Sequence, residues 1–339
     1  MKTLTVTKCG TGFRKTRALM VAGCLASGLL AQPAQAALTF HFNYLNPGQG
    51  FNDPILGTAR KTALNDAANT LGAYFSNYTA TLTYDVASYS SNDGTLASAG
   101  SGAFVVPGTF QKTIVQTKIL ANNNTVSATA DGDINWNFFH NWGLGDNVGS
   151  TQNDFKSTAM HELLHSFGFL SFIGRNGSGL SGKTPGTADT WSIFDSFLTD
   201  GSGNRLISAG GVFDSTKVAA LTAGTHNSAS VFFSGANATA SNGGAGLPIY
   251  SPNPWEEGSS ISHLDDNSSV TNQSIMNAAA HNLGIDVRTL GTHELAILKD
   301  LGYTRVTAPT TAVPLPAAAW FMASGLLSFA GVYRRRKTA

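Results

Sequence analysis

The segment His161-Glu162-Leu163-Leu164-His165, followed by Gly168, constrains this chain more than any other. Histidines at positions i and i+4 project from one face of a helix about one turn apart, so both imidazoles can bind one ion. Glu162 lies roughly 100° around the helix from His161, where its carboxylate can reach a water beside the ion without binding the ion. The pattern predicts a helix that carries a catalytic zinc site.

The residues around the motif indicate that the helix is buried. Leu163, Leu164 and Phe167 surround the two histidines. Burial of polar side chains among apolar residues is costly, which favours a function for these histidines. Gly168 can adopt a positive φ and turn the chain sharply out of the helix. In the compact form of the motif a third histidine stands three residues after this glycine, but here that position is Ser171, and a neutral hydroxyl is a poor zinc ligand. The third ligand must therefore come from farther along the chain.

Several downstream residues could supply that ligand. Apart from His263, the candidates are His226, His281, His293, Glu256, Glu257 and Glu294. His226 stands in a polar loop, and none of the glutamates lies on a convincing second site helix. His263 is favoured because Met276 follows it thirteen residues later, at the distance expected of a turn beneath the metal.

In order, the chain contains His-Glu-x-x-His-x-x-Gly-Phe, a long insertion, a lone histidine and a methionine turn. This order resembles the metzincin clan of zinc proteases, particularly the leishmanolysin-like branch, in which the third histidine is displaced far downstream. The resemblance covers residues 150–172 and 258–277. It implies these roles: zinc ligands His161, His165 and His263, general base Glu162, and Met276 as the hydrophobic floor below the metal.

The resemblance also implies a two-lobed α+β fold. A twisted mixed sheet with helices would form the lobe at residues 37–168, and residues 169–305 would form an irregular lobe that ends in a helix, with the site helix at the cleft. An edge strand would align the substrate, and we expect residues 134–138 to be that strand. One departure concerns the segment Asn277-Ala278-Ala279-Ala280. Some metzincins have a tyrosine there that assists the metal or the oxyanion.

Hydrophobic periodicity independently predicts an α+β chain without internal repeats. The predicted strands are residues 38–44, 79–86, 102–106, 113–119 and 133–138. The predicted helices are residues 54–75, 150–168 and 292–301.

Both ends of the sequence have the composition of targeting segments. Residues 1–36 combine a basic start, an apolar run and the small-x-small site Ala34-Gln35-Ala36, which predicts a secretory signal. After a linker at residues 306–312, residues 313–339 resemble the PEP-CTERM sorting signal of Gram-negative bacteria. They contain Val313-Pro314-Leu315-Pro316, an uncharged run at 317–333 long enough to cross a membrane, and the basic cluster 334–337. This resemblance implies exosortase processing and delivery to the cell surface or an exopolysaccharide matrix.

Without these ends the composition changes. Nine of the 21 Lys and Arg residues lie in the two end segments and none of the 20 Asp and Glu residues does, so the middle of the chain has a formal charge of −8. A domain of this charge is not expected to bind nucleic acid. The two cysteines, Cys9 and Cys24, also lie in the leader, so no disulfide is expected in the remainder.

These patterns predict a secreted, surface-sorted zinc endopeptidase that acts on protein or peptide substrates. Two alternatives are a matrix protein that keeps the metalloprotease scaffold without turnover, and a zinc hydrolase of a non-peptide bond. Calcium is a weaker expectation at Asp200–Asn204, which lacks the full spacing of an EF-hand loop and is better explained as a hairpin turn.

Overall fold

The computed structural model describes residues 38–225 and 229–309, which form a mixed α+β fold as the sequence predicts. The strands are β1 Leu38–Tyr44, β2 Ala80–Tyr89, β3 Ala97–Gly100, β4 Thr109–Gln111, β5 Gly132–Asn137, β6 Trp142–Gly143, β7 Asn153–Asp154, β8 Thr190–Ser192, β9 Leu198–Asp200, β10 Val231–Phe233 and β11 Leu247–Ile249. The helices are α1 Gly57–Gly72, α2 Ile114–Leu120, α3 Phe155–Ser166, α4 Ala236–Ser241 and α5 Thr292–Asp300. Short 3₁₀ turns lie at Gly50–Asn52, Ala73–Phe75, Phe194–Phe197 and Ser215–Thr222.

The largest sheet has the strand order β1-β2-β5-β3. Strands β1, β2 and β5 are parallel, whereas β3 runs antiparallel to β5 and lies at the edge. The prediction that residues 134–138 form the edge strand is therefore wrong, because β5 is paired on both sides. Alternation of buried residues reports the two faces of a strand and not its place in a sheet. The true edge strand has the sequence Ala-Ser-Ala-Gly, whose small side chains carry no strand signal.

Three further predicted elements differ from the structure. Residues 113–119 form α2 and not a strand: the Thr113 hydroxyl caps the helix by accepting from Gln116 N, and Val115 and Ile119 are buried one turn apart. Residues 102–106 contain only an isolated bridge at Ala103. Helix α1 begins at Gly57 and not at residue 54, since the Asp53 carboxylate first closes a turn with the next backbone amides.

Helix α3 lies at the centre of the core. On the sheet side, Trp136 of β5 stacks on Phe155 with ring centroids 4.0 Å apart, and the Tyr84 hydroxyl of β2 lies 2.7 Å from that of Ser166. At the end of the helix, Tyr303, which follows α5, packs its ring against Phe75, and its hydroxyl donates to Phe167 O at 2.7 Å. Both ends of α3 are thus fixed by tertiary contacts.

The second half of the described chain has less regular structure. It contains the three-stranded antiparallel sheet β11-β10-β9, the short helix α4 and the terminal helix α5. The predicted signal segment and sorting signal lie outside the described residues. Across residues 38–225 and 229–309, no helix has the length and apolar character needed to span a bilayer.

Candidate metal centre

Helix α3 presents the motif residues to one cleft. It starts at Phe155 and not near residue 150, because the Asp154 carboxylate caps it by accepting from Ser157 N at 3.1 Å. It ends at Ser166, and His161 and His165 project from the same face one turn apart. A capped and buried helix holds the two imidazoles at a fixed separation.

Gly168 turns the chain after α3, as the sequence predicts. Its φ is +98°, and a Cβ at this position would lie 2.7 Å from the side-chain oxygen of Gln116. The position therefore requires glycine both for its conformation and for space. The turn brings the carbonyl of Phe169 back over the helix, where it lies 2.7 Å from His165 Nδ1.

His263 reaches the same place from 98 positions farther along the chain. Its carbonyl accepts from Tyr250 N, and Leu264 N donates to Met276 O, so the segment is held on both sides by backbone hydrogen bonds. Two residues earlier, the buried Ile261 has a φ of +68°. A β-branched residue in this region is strained by about 1–3 kcal/mol, and its surroundings must fix it there.

The three histidines converge on one point. The Nε2 atoms of His161, His165 and His263 lie 3.1 Å from one another in all three pairs. Each Nδ1 instead faces a backbone carbonyl, at 2.6 Å for Ile275 O, 2.7 Å for Phe169 O and 2.7 Å for Ser259 O. Because a carbonyl only accepts, each Nδ1 carries the hydrogen and each Nε2 presents a lone pair to the common point.

Burial keeps these rings neutral. It lowers the pKa of His161, lowers that of His165 to about 3, and lowers that of His263 well below its ordinary value. Three converging lone pairs without a hydrogen between them repel one another, and a cation at the common point removes that repulsion. The donor set therefore fits a metal ion, and this is the one group of three or more potential ligands in the described residues.

Glu162 is buried beside the histidines without joining them. Burial raises the pKa of its carboxyl to about 8, although a hydrogen bond from the backbone of Ala99 lowers it in part. Ala99 belongs to the edge strand β3, so this strand runs beside the carboxylate, and both line the same cleft. The cleft has a volume of about 920 Å³ and includes all three histidines.

The other candidate ligands have different roles. His281 contacts Asp286 at 2.9 Å and Asn277 at 2.8 Å, while His293 contacts the Ser241 hydroxyl. Glu257 accepts from the Trp255 indole, Glu256 is exposed, and both carboxylate oxygens of Glu294 accept from backbone amides. His226 lies outside the described residues.

Ser171, in the position of the missing histidine, is a structural residue. Its hydroxyl donates to the buried Asp195 carboxylate at 2.6 Å, and its backbone N–H donates to Ser262 Oγ at 3.1 Å. Ser262 directly precedes His263. The serine thus ties the chain that leaves α3 to the segment that supplies the third imidazole.

Met276 and the Asp200 loop are also defined by their contacts. Met276 is fully buried and directly follows Ile275, whose carbonyl holds His161. The Asp200 carboxylate accepts from Ser202 N and Asn204 N within a hairpin turn, and Lys217 Nζ lies 3.2 Å from it. An ammonium group already neutralises the carboxylate that a calcium ion would need.

Some groups that hydrogen-bond to the residues of this centre could not be predicted from a sequence motif. The supporting carbonyls and the Ala99 amide belong to the backbone, which every residue carries. Comparisons with known proteins add no assignment: no family model matches the sequence, and no curated protein matches it significantly.

Proposed function

We propose that this protein is a zinc-dependent endopeptidase of the metzincin type, close to the leishmanolysin-like branch. The observation that carries the proposal is the convergence of three neutral imidazoles, 3.1 Å apart at Nε2, beside a buried glutamate that binds none of them. Catalytic zinc sites use three protein ligands of this kind and leave a further position open. A bound zinc ion there supplies Lewis acidity, which polarises a carbonyl and makes water more acidic.

Glu162 has the position of the general base. Its carboxylate lies in the cleft, one residue from the ligand His161 and on a different side of the helix. It removes the proton of the attacking water and then delivers that proton to the nitrogen of the leaving amine. The burial that raises the pKa of its carboxyl makes the ionised carboxylate a stronger base, and a cation held by the three histidines would favour that ionised form.

The sheet edge favours a peptide as the substrate. Among the described residues, no strand pairs with β3 on the side away from β5, and β3 borders the cleft beside Glu162. An extended chain can add to such an edge through backbone hydrogen bonds, which an ester or a glycan cannot reproduce. The strand that aligns the substrate in this proposal is β3, in place of residues 134–138.

The proposed location comes from the sequence of the chain ends. A secretory signal at residues 1–36 and a sorting signal at 313–339 would place the enzyme outside the inner membrane of a Gram-negative bacterium. Its substrates would then be proteins of the cell surface or of an exopolysaccharide matrix.

The decisive variant is Glu162→Gln. We expect it to bind one zinc ion per chain and to lose about 10²- to 10⁴-fold in kcat/KM on a peptide library, because only the proton carrier is removed. Glu256→Gln is the matched control, since Glu256 is exposed and does not line the cleft; it should retain activity.

The outcomes separate the proposal from its rivals. Unchanged proteolysis in Glu162→Gln would refute the assignment of the base. A wild-type protein that binds zinc but cleaves nothing would favour the matrix scaffold. Turnover of esters or glycans without turnover of peptides would favour a different hydrolase.

A further inference from the structure

Glu294 is a buried carboxylate that lies outside the set of metal-binding and catalytic residues. It stands in the first turn of α5 and is 2 % exposed. Its Oε2 accepts from Gly291 N at 3.0 Å, which caps its own helix. Its Oε1 accepts from Ile275 N at 3.0 Å, across 19 positions of sequence. One carboxylate therefore joins the start of α5 to the residue before Met276.

The Ile275 backbone transmits this contact to the metal centre. Its N–H donates to Glu294, and its carbonyl accepts from His161 Nδ1 at 2.6 Å. Both polar groups of Ile275 are thus engaged, one by a carboxylate and one by an imidazole. The carbonyl sets the orientation of the His161 ring and keeps the lone pair on Nε2.

We propose that Glu294 is a positioning residue for the metal centre, which fixes the Ile275 backbone and through it the His161 imidazole. Glu294 itself binds no metal in this proposal. A helix cap alone would need only Oε2 and Gly291 N, whereas Oε1 is committed to Ile275. The proposal rests on the metal site proposed above.

The test compares zinc affinity across variants of the purified full chain, by competition with a chromophoric chelator. Glu294→Gln keeps the length and one acceptor oxygen for Ile275 N but places an NH2 group against Gly291 N, so it should lower the thermal midpoint while its zinc affinity stays within about threefold of wild type. Glu294→Ala removes the acceptor, and Glu294→Asp withdraws it by one methylene; each should lose about 10- to 100-fold in affinity. The visible absorption bands of the Co²⁺-loaded Ala and Asp variants should shift, because the orientation of one imidazole changes.

Asp300→Ala is the matched control. Asp300 ends the same helix, and its carboxylate likewise accepts from two backbone amides, Asn237 N and Ala238 N, each at 2.9 Å. It should lower the thermal midpoint without changing zinc affinity. If Glu294→Ala does not fold, the comparison of zinc affinity between the Gln and Asp variants tests the proposal.

Three results would overturn the proposal: affinity within threefold of wild type in both Ala and Asp variants, an Asp variant that binds better than the Gln variant, or an equal loss in Asp300→Ala. A wild-type chain that binds no zinc would instead refute the metal site itself.

Discussion

Three backbone carbonyls determine the ring orientation and the tautomer of the three histidines. They belong to Phe169, Ser259 and Ile275, and each accepts a hydrogen bond from one Nδ1. Rotation of any ring would break a short hydrogen bond and leave a buried N–H without a partner, which costs about 1–3 kcal/mol. These hydrogen bonds hold the three rings in the orientation that directs each Nε2 to the common point.

His263→Ala tests the displaced ligand. With two imidazoles left, we expect zinc affinity to fall by at least 100-fold and stoichiometric zinc to be lost on dialysis, as measured by elemental analysis. His293→Ala serves as the control, because His293 contacts the Ser241 hydroxyl and does not line the cleft. Equal zinc content in the two variants would show that His263 is not a ligand.

At the scale of single residues, the sequence predicts the side chains of the centre better than the groups that hydrogen-bond to them. The residues His161, Glu162 and His165 follow from the spacing of a helix, and the methionine thirteen residues after His263 favours that histidine. Glu294 was a candidate ligand in the sequence, but its oxygens face backbone amides. Which atom a buried carboxylate faces depends on tertiary packing, and no spacing encodes it.

At the scale of elements, α3 is anchored through its cap. The Asp154 carboxylate caps the helix and also accepts from Arg288, at 2.6 Å from Nε and 2.9 Å from Nη2. The Asp154 side chain is 1 % exposed. This bidentate salt bridge connects the beginning of α3 to the segment that leads into α5.

Asp154→Asn should lower the free energy of unfolding by about 3 kcal/mol or more, because it leaves the Arg288 guanidinium without its buried partner. Urea unfolding measures the change. Asp146→Asn is the control: Asp146 contacts the same Arg288 at 3.3 Å, but its side chain is 82 % exposed, so the loss should be within about 1 kcal/mol. Similar losses in both variants would contradict a dominant role for the buried pair.

The errors in predicted elements share a physical origin. Residues 113–119 are rich in β-branched side chains, but a threonine cap and buried positions one turn apart make them helical. Strand β3 has almost no local preference and exists because β5 offers it a free edge. Segments with a clear hydrophobic period, such as α5, match the prediction to within one residue, because their own pattern suffices.

At the scale of the whole molecule, the centre joins distant parts of the chain. Two of the three converging histidines come from α3, the third from a segment 98 positions beyond His165, and the carbonyl of Ile275 from farther still. An ion bound at their meeting point is available only to the folded chain. Its binding free energy therefore adds to the stability of the fold.

Removal of the metal should thus lower the thermal midpoint. With free zinc at a thousand times its Kd, the added stability is about 4 kcal/mol. Calorimetry with zinc and with excess chelator measures the difference. For His263→Ala, the scans with zinc and with chelator should coincide. A wild-type thermal midpoint that is the same in zinc and in chelator would contradict the coupling of metal binding to folding.

The hydrogen bond from Ser171 N to Ser262 Oγ joins residues 91 positions apart. The two ends of the long insertion therefore meet beside the site, while its middle packs on the rest of the fold: β8 pairs with β4, and Asn237 N and Ala238 N donate to Asp300 of α5. The entropy of closing a loop grows slowly, by about 0.6 kcal/mol for each doubling of length. The length of the insertion therefore adds little to the entropic cost of bringing His263 to His161 and His165. Ser171, which stands where the compact motif has a histidine, thus marks the point at which the chain returns to the three imidazoles after the insertion.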